Sequence, residues 1–196
     1  MINWNKTDNL VSMHYTCGYC GNSIASNKGY IGNSYDGVTT VIIYICHKCG
    51  CPTYFDHQNN QTPGALIGNQ VMHIDDEGIT NLFLEARKCF SYGAFTSSVM
   101  CSRKLLMNIA VSQGAKEGLS YLDYVNFLND NNYIPPKGKK WVELIRRVGN
   151  DANHKIELKT ELQAKKILIF IEMLLRFIYE IPGIMEEGAE ELNDIM

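Results

Sequence analysis

Two sets of residues in this 196-residue chain have types and spacings that could do chemistry. The first is a pair of C-x-x-C-G units, Cys17-Gly18-Tyr19-Cys20-Gly21 and Cys46-His47-Lys48-Cys49-Gly50. Two such units can place four thiolates at the corners of a tetrahedron around one Zn²⁺. The glycine after each second cysteine permits a tight turn whose backbone amides point back at sulfur. Between Cys20 and Cys46 lie 25 residues, somewhat more than the commonest four-cysteine spacing and enough for a β-hairpin. A redox C-x-x-C pair is the rival reading, but it gives a second matching pair no role. Four cysteines leave no open coordination position, so the spacing predicts a structural rather than a catalytic zinc. Cys51 is a spare thiol beside the second unit; His14 and His47 could substitute as ligands, but histidines so placed are more often plain surface residues. Cys89 and Cys101 read as small buried hydrophobes.

The second set lies in Trp141 to His154, WVELIRRVGNDANH. On a helix, Trp141, Leu144, Ile145, Val148 and Ala152 fall within roughly 100° of one another and make an apolar stripe. Glu143, Arg147, Asn150 and His154 fall within roughly 60° on the far side. That face aligns a carboxylate, a guanidinium, an amide and an imidazole. The surroundings are basic: nine of the 18 Lys and Arg lie between Lys137 and Lys166, among them Lys139, Lys140, Arg146, Lys155 and Lys159. A cationic strip beside a histidine suits a phosphodiester, with Lys139, Lys140, Arg146 and Lys155 as RNA-binding candidates. A solvated helix face with i, i+4 pairs such as Glu143–Arg147 is the alternative.

The whole chain carries a net charge of -3 with a pI near 5.9, so total charge does not mark a nucleic-acid binder. The N-terminus has no basic, apolar leader. The apolar stretch Ile167 to Leu175 is interrupted by Glu172 and is too short to span a bilayer. The expectation is a cytoplasmic protein without a membrane partner, in which seven cysteines bind metal or are buried.

The elements that must position these residues fall into two regions. Residues 1–60 are rich in Gly, Asn, Cys and Tyr, and Val38 to Cys46 reads as a strand partnered near Thr53, Tyr54 and Phe55. Residues 61–76 read as a connector. Helical periodicity then begins at Glu77 and ends at Tyr92-Gly93, and resumes from Ala94 to Ala110 and from Leu119 to Asn129, the last capped by Ser120. Two prolines in NNYIPPKGKK stop the third helix. The fourth carries the Arg/His row. The fifth, Thr160 to Tyr179, is apolar nearly all round and is ended by Pro182-Gly183, before an acidic, helical tail.

EARKCFSYGAFTSSVMCSRKLLMNIA followed by IRRVGNDANH resembles a widespread bacterial and phage domain of the HEPN superfamily. That domain also occurs attached to restriction enzymes, often behind a zinc ribbon. The marks are Glu85-Ala86 in the first long helix, Tyr92-Gly93-Ala94 at its end, Arg103 in the second helix, and the Arg…Gly-Asn…His run, within residues 77 to 182. The resemblance implies a metal-independent ribonuclease site built from an Arg and a His four to six residues apart, completed across a homodimer. Arg147 and His154, with six residues between them, fit that window and share a helix face; Arg146 does not. Val148 stands where members often carry a polar residue, and Asn150 can take that role. Arg103 and Glu85 are expected to pair and fix the bundle.

The expectation is a mainly α chain: a small N-terminal β zinc ribbon (1–60), a linker (61–76) and an all-α HEPN-like bundle with an acidic tail (77–196). Its catalytic residues would be Arg147, His154, Asn150 and Glu143, and its metal ligands Cys17, Cys20, Cys46 and Cys49. The implied function is an RNA-directed endoribonuclease of a phage or bacterial defence system, leaving 2′,3′-cyclic phosphate. A non-catalytic adaptor or inhibitor holding a protein through the ribbon is the alternative, as is a silent nucleic-acid binder.

Overall fold

The structure is a computed structural model that describes residues 2, 4–135, 138, 141 and 158–195. The chain forms two compact units: Met1–Ile67 with Lys88–Ala94, and Gly68–Arg87 with Phe95–Met196.

The first unit is an antiparallel sheet of five strands in sequential order: β1 (Asp8–Thr16), β2 (Ser23–Asn33), β3 (Thr40–Ile45), β4 (Pro52–Phe55) and β5 (Gln61–Thr62). Each strand pairs with the next, as short connections dictate. The pleat sends Ile24 and Ser26 of β2 inward and Ala25 and Asn27 outward. Gly29 lies opposite Tyr44, and a Cβ there would collide with the Ile43 carbonyl. Strand β1 is irregular between Asn9 and Met13. Inside, Tyr15, Ile24, Tyr44 and Phe55 pack with Cys17 and Cys46. The Tyr15 and Tyr44 rings meet the Phe55 ring edge-on at 5.3 and 5.8 Å, the favoured aromatic geometry. The Tyr44 hydroxyl donates to the Val11 carbonyl at 2.8 Å.

The expectation of a mainly α chain with a small ribbon and an all-α remainder is overturned by this sheet. It occupies most of the first 62 residues, so the chain is a mixed α and β protein. Lys88–Ala94, the end of the first helix and its turn, groups with the sheet unit. There the Gly64 amide donates to the Ser91 carbonyl at 2.7 Å. Strands β1 and β2 escaped notice because DNLVSMHYT and SIASNKGYIGN are polar. They present much of their surface to solvent, so the apolar alternation that marks a half-buried strand is weak in them.

The helices are α1 (Glu77–Ser91), α2 (Phe95–Ser112), α3 (Tyr121–Asp130), α4 (Glu161–Leu175), a π turn (Arg176–Glu180) and α5 (Ile181–Ile195). Asp76 caps α1 by accepting from the Gly78 and Ile79 amides at 2.7 and 3.2 Å. Ser120 caps α3, accepting from the Asp123 amide at 3.2 Å. Thr160 and Gln163 close a capping box on α4. In the second unit α2 packs against α3 and α4. Its core is mostly aliphatic: Leu105, Leu106, Ile109, Val125, Leu128, Ile171, Leu174 and Leu175, with Phe170, all 2% exposed or less.

Pro182-Gly183 does not end the helix. The backbone widens into the π turn, where the Ile181 amide reaches the Arg176 carbonyl, and α5 continues to Ile195. A proline ring clashes with the carbonyl four residues earlier in a regular α-helix, and the wider turn relieves that clash. Arg176 bridges the π turn, donating to Glu172 at 3.0 and 3.1 Å and to the buried Glu180. Glu180 also accepts from the Met72 amide at 3.2 Å, which seats the extended segment after Ile67 against the helix.

Candidate metal centre

Each C-x-x-C-G unit forms the turn between two strands, the first between β1 and β2 and the second between β3 and β4. Their backbones repeat one design. The amide of the leading cysteine donates to the carbonyl five residues on: Cys17 to Asn22 at 2.9 Å and Cys46 to Cys51 at 3.0 Å. The glycine amide donates back to that cysteine's carbonyl: Gly21 to Cys17 at 2.9 Å and Gly50 to Cys46 at 2.7 Å. Both glycines have left-handed φ, 72° and 73°, which favours glycine. Gly18 has a different constraint. A side chain there would collide with the carbonyls of Pro63 and Gly64.

The two turns bring the sulfurs of Cys17, Cys20, Cys46 and Cys49 within 4.8 Å of one another. Cys17 lies 3.7 Å from Cys49, and Cys20 lies 3.8 Å from Cys46. A disulfide needs about 2.05 Å, so these are not bonded pairs. The edge of a tetrahedron with metal–sulfur bonds of about 2.3 Å is about 3.8 Å, and the cluster matches it. The four cysteines are positioned to hold a metal ion.

Amides surround the sulfurs. Cys17 accepts from the backbone of Tyr19, at 3.5 Å, and of Cys20. Cys20 accepts from the Asn22 backbone and from the Asn22 side-chain amide at 3.3 Å. Cys49 accepts from the Cys51 backbone. Such donors stabilise thiolate charge and orient the ligands. Burial pushes the Cys17 thiol up to about 11 and the Cys49 thiol well above its usual range. Burial opposes ionisation of Cys20 as well, but the Asn22 amides and the neighbouring thiols outweigh it and bring the group down to about 7. Without a cation the cluster therefore retains protons that a bound metal must displace. Tyr15, buried beside the cluster, is pushed up to about 12 by desolvation, with the Thr53 hydroxyl working the other way.

Cys51 occupies the place in the second turn that Asn22 holds in the first, and its thiol faces the Cys49 carbonyl at 3.9 Å. It lies outside the four-sulfur cluster. His47 is exposed, and His14 meets the Ser23 hydroxyl at 3.1 Å, so neither joins the cluster. The roles of Asn22 and Gly18 were not read from sequence. The signal for Asn22 was available, since the residue after each C-x-x-C-G unit must reach back to the turn.

The proposed catalytic residues Glu143, Arg147, Asn150 and His154 lie outside the described residues, as do Lys139, Lys140, Arg146 and Lys155. At the edges of that segment, Trp141, assigned to the apolar stripe, is 41% exposed. Lys159, counted in the cationic strip, is 5% exposed, and its amide donates to the Thr96 hydroxyl at 3.0 Å. Lys165 and Lys166 are exposed. Arg103 does not form the expected buried pair with Glu85. Its guanidinium lies 3.8 Å from the centre of the Tyr121 ring, a cation–π contact, while Glu85 is exposed.

Fold and site thus define a protein with an antiparallel sheet unit, in which four cysteines are positioned to hold a metal ion, and a helical unit. Residues 84–194 match the family described as "Domain of unknown function (DUF4145)", and the chain belongs to that family. The matched region excludes the metal centre. The chain is also 26% identical over 144 residues, 67% of its length, to the 3-isopropylmalate dehydratase large subunit of Buchnera aphidicola subsp. Cinara cedri (strain Cc). It spans 30% of that relative's length. No solved structure matches. Among the described residues, no helix is long and apolar enough to cross a membrane.

Proposed function

We propose that the four cysteines hold a structural Zn²⁺, and that the chain is an RNA-directed HEPN-type protein of a phage or bacterial conflict system, acting as a metal-independent endoribonuclease. The cluster separations support a tetrahedral thiolate site, and four soft sulfur ligands suit zinc. The ribonuclease reading is carried by the spacing of Arg147 and His154, seven positions apart in the most basic part of the sequence. Two such sites complete one another across a homodimer.

In this reading His154 removes the proton from a ribose 2′-hydroxyl or protonates the leaving 5′-oxygen, roles open to an imidazole in general. The 2′-oxygen bonds to phosphorus as the bond to the 5′-oxygen breaks, and the product ends in a 2′,3′-cyclic phosphate. Arg147 neutralises the charge that gathers on the phosphate oxygens. Asn150 orients the imidazole or the phosphate, Glu143 fixes Arg147, and Lys139, Lys140, Arg146 and Lys155 hold the RNA backbone. The protein is cytoplasmic in this account.

The test is incubation with mixed RNA in EDTA and examination of the fragment ends. Cyclic-phosphate ends that disappear in His154→Ala and Arg147→Ala support the reading. Absence of cleavage across protein concentration and pH rejects it. A second reading, a non-catalytic adaptor that holds a protein through the sheet unit, is favoured by exposed Ile31, Tyr35 and Val38 on or beside the β2–β3 turn. A partner lost on Tyr35→Ser with Val38→Ser would support it.

A further inference from the structure

We propose that the helical unit carries a binding site for a short peptide with free ends, held by its two terminal charges in the cleft formed by α2 and the turn that leads to α3. The inference rests on this cleft alone and stands whether or not the chain cleaves RNA.

The cleft has a volume of about 520 Å³. Lys104, Asn108 and Ser112 line it from α2; at i, i+4 and i+8 they share one side of the helix and span about 12 Å along its axis. Met107 and Val111 of the same helix, with Leu119 of the turn, are half-buried and add apolar surface. Glu117 of the turn and Asp76, the cap of α1, bring carboxylates. Several of these groups have unused hydrogen-bonding capacity. Among the described residues the Lys104 ammonium, the Asn108 amide and the Glu117 carboxylate make no hydrogen bond or ion pair. Asp76 holds the α1 amides with Oδ1 and has Oδ2 to spare. Tyr124 reaches the cleft from α3 and is 3% exposed. Its hydroxyl accepts from the Leu119 amide at 3.3 Å, and among the described residues its own proton has no acceptor. A solvated helix face accounts for a lysine and an amide four residues apart. It does not account for a buried phenol beside them whose proton lacks an acceptor.

Charge and length identify the ligand. One lysine stands against two carboxylates, so the lining disfavours a dianionic phosphate ester such as a nucleotide. A purely cationic ligand would face Lys104, whereas a zwitterion meets both signs. Lys104 lies two turns before the end of α2 and Glu117 follows that end, so cation and carboxylate stand toward opposite ends of the cleft. In a free amino acid the two charges sit on one carbon and cannot reach both ends. An extended peptide advances about 3.3–3.6 Å per residue, so three residues match the length of the polar line. Its carboxylate accepts from Lys104 and Asn108, and its ammonium donates to Glu117 and Asp76. The Tyr124 hydroxyl donates to a peptide carbonyl, and apolar side chains cover Met107, Val111 and Leu119.

Titration of the full chain, read by shifts of its backbone amide resonances, tests this and does not depend on activity. The probe is the tripeptide alanyl-leucyl-alanine, compared with its N-acetylated form, its C-amidated form and adenosine monophosphate. The free tripeptide is expected to bind, with shifts at residues of α2 and of the turn after it. Blocking either end weakens binding at least about tenfold, since each block removes a charge-assisted hydrogen bond. Lys104→Met weakens the free tripeptide to the level of the amidated one and leaves the amidated one unchanged; Lys104→Arg retains binding. Glu117→Gln removes most of the difference made by acetylation. Both side chains are exposed, so circular dichroism and thermal midpoint should stay as in the wild type. Absence of shifts with the tripeptide at up to about 10 mM, beyond the millimolar range of weak ligands, overturns the proposal. So do blocked peptides that bind as tightly as the free one, or adenosine monophosphate that binds more tightly.

Discussion

The sheet unit and the helical unit fill their interiors by different means. In the helical unit the most buried side chains are leucines, isoleucines and valines from α1, α2, α3 and α4, with Phe170 among them. Burial of that kind stabilises without outside help, at about 1.5–3 kcal/mol for each large side chain removed from water. Among the described residues, the core cluster of the sheet unit is small and mainly aromatic, and two of its members are cysteines of the four-sulfur group. Its aromatic ring contacts contribute, and burial keeps the Cys17 and Cys49 thiols protonated until a cation displaces the protons. The difference teaches that one unit is held by its core, while the other sets beside its core four sulfurs positioned to hold a metal ion.

The largest effect that can break this comparison is withdrawal of the metal. A strong chelator, or Cys46→Ser, should remove on the order of 10 kcal/mol of binding free energy from the sheet unit. Hydrogen exchange should then show β1 to β4 unprotected while α2 and α4 remain protected. Loss of protection in both units together would show that they are not separately held. Acid probes the same site. Since Cys17 and Cys49 hold their protons more tightly than free thiols, uptake of metal releases protons, and retention weakens as pH falls. Metal titrations followed by proton release at several pH values check the sign.

The converse test removes part of the helical core. Phe170 is fully buried, and Phe170→Ala should cost about 3–5 kcal/mol. Its thermal midpoint should fall while metal content stays unchanged. A smaller effect is expected from Gly18→Ala. The added methyl meets the backbone of Pro63 and Gly64, so the first turn must shift, at about 1–3 kcal/mol, with weaker metal binding. Thr160→Ala opens the capping box of α4 for about 1 kcal/mol and should leave the metal untouched. Denaturant midpoints with metal analysis distinguish these two.

The four-cysteine site was legible because each half is a local motif: cysteine spacing and the following glycine determine the turn. The helices at Glu77–Ser91, Phe95–Ser112, Tyr121–Asp130 and Glu161–Leu175 were legible from their apolar spacing, and the caps at Ser120 and Thr160 mark helix starts in hydroxyl chemistry that sequence displays; the helix expected to carry Arg147 and His154 lies outside the described residues. Strands β1 and β2 were not, because Asn9, Ser12, Ser26 and Asn27 carry no strand signal of their own. The continuation through Pro182 was also hidden, because a π turn depends on the Arg176 bridge between Glu172 and Glu180 and on the Met72 amide, which is distant in sequence. The need for glycine at 18 arises from the Pro63–Gly64 segment across the fold. The place of Arg147 and His154 remains a matter of spacing and charge in the sequence, and RNA cleavage is what tests it.

The most direct measurement is the metal content of the chain purified without added metal. The account predicts one zinc ion per chain, lost in Cys17→Ser and in Cys46→Ser and retained in Cys51→Ser, because Cys51 sits outside the four-sulfur cluster. A metal-free chain, a bound metal other than zinc, or zinc that leaves with Cys51 and stays without Cys17 would contradict it.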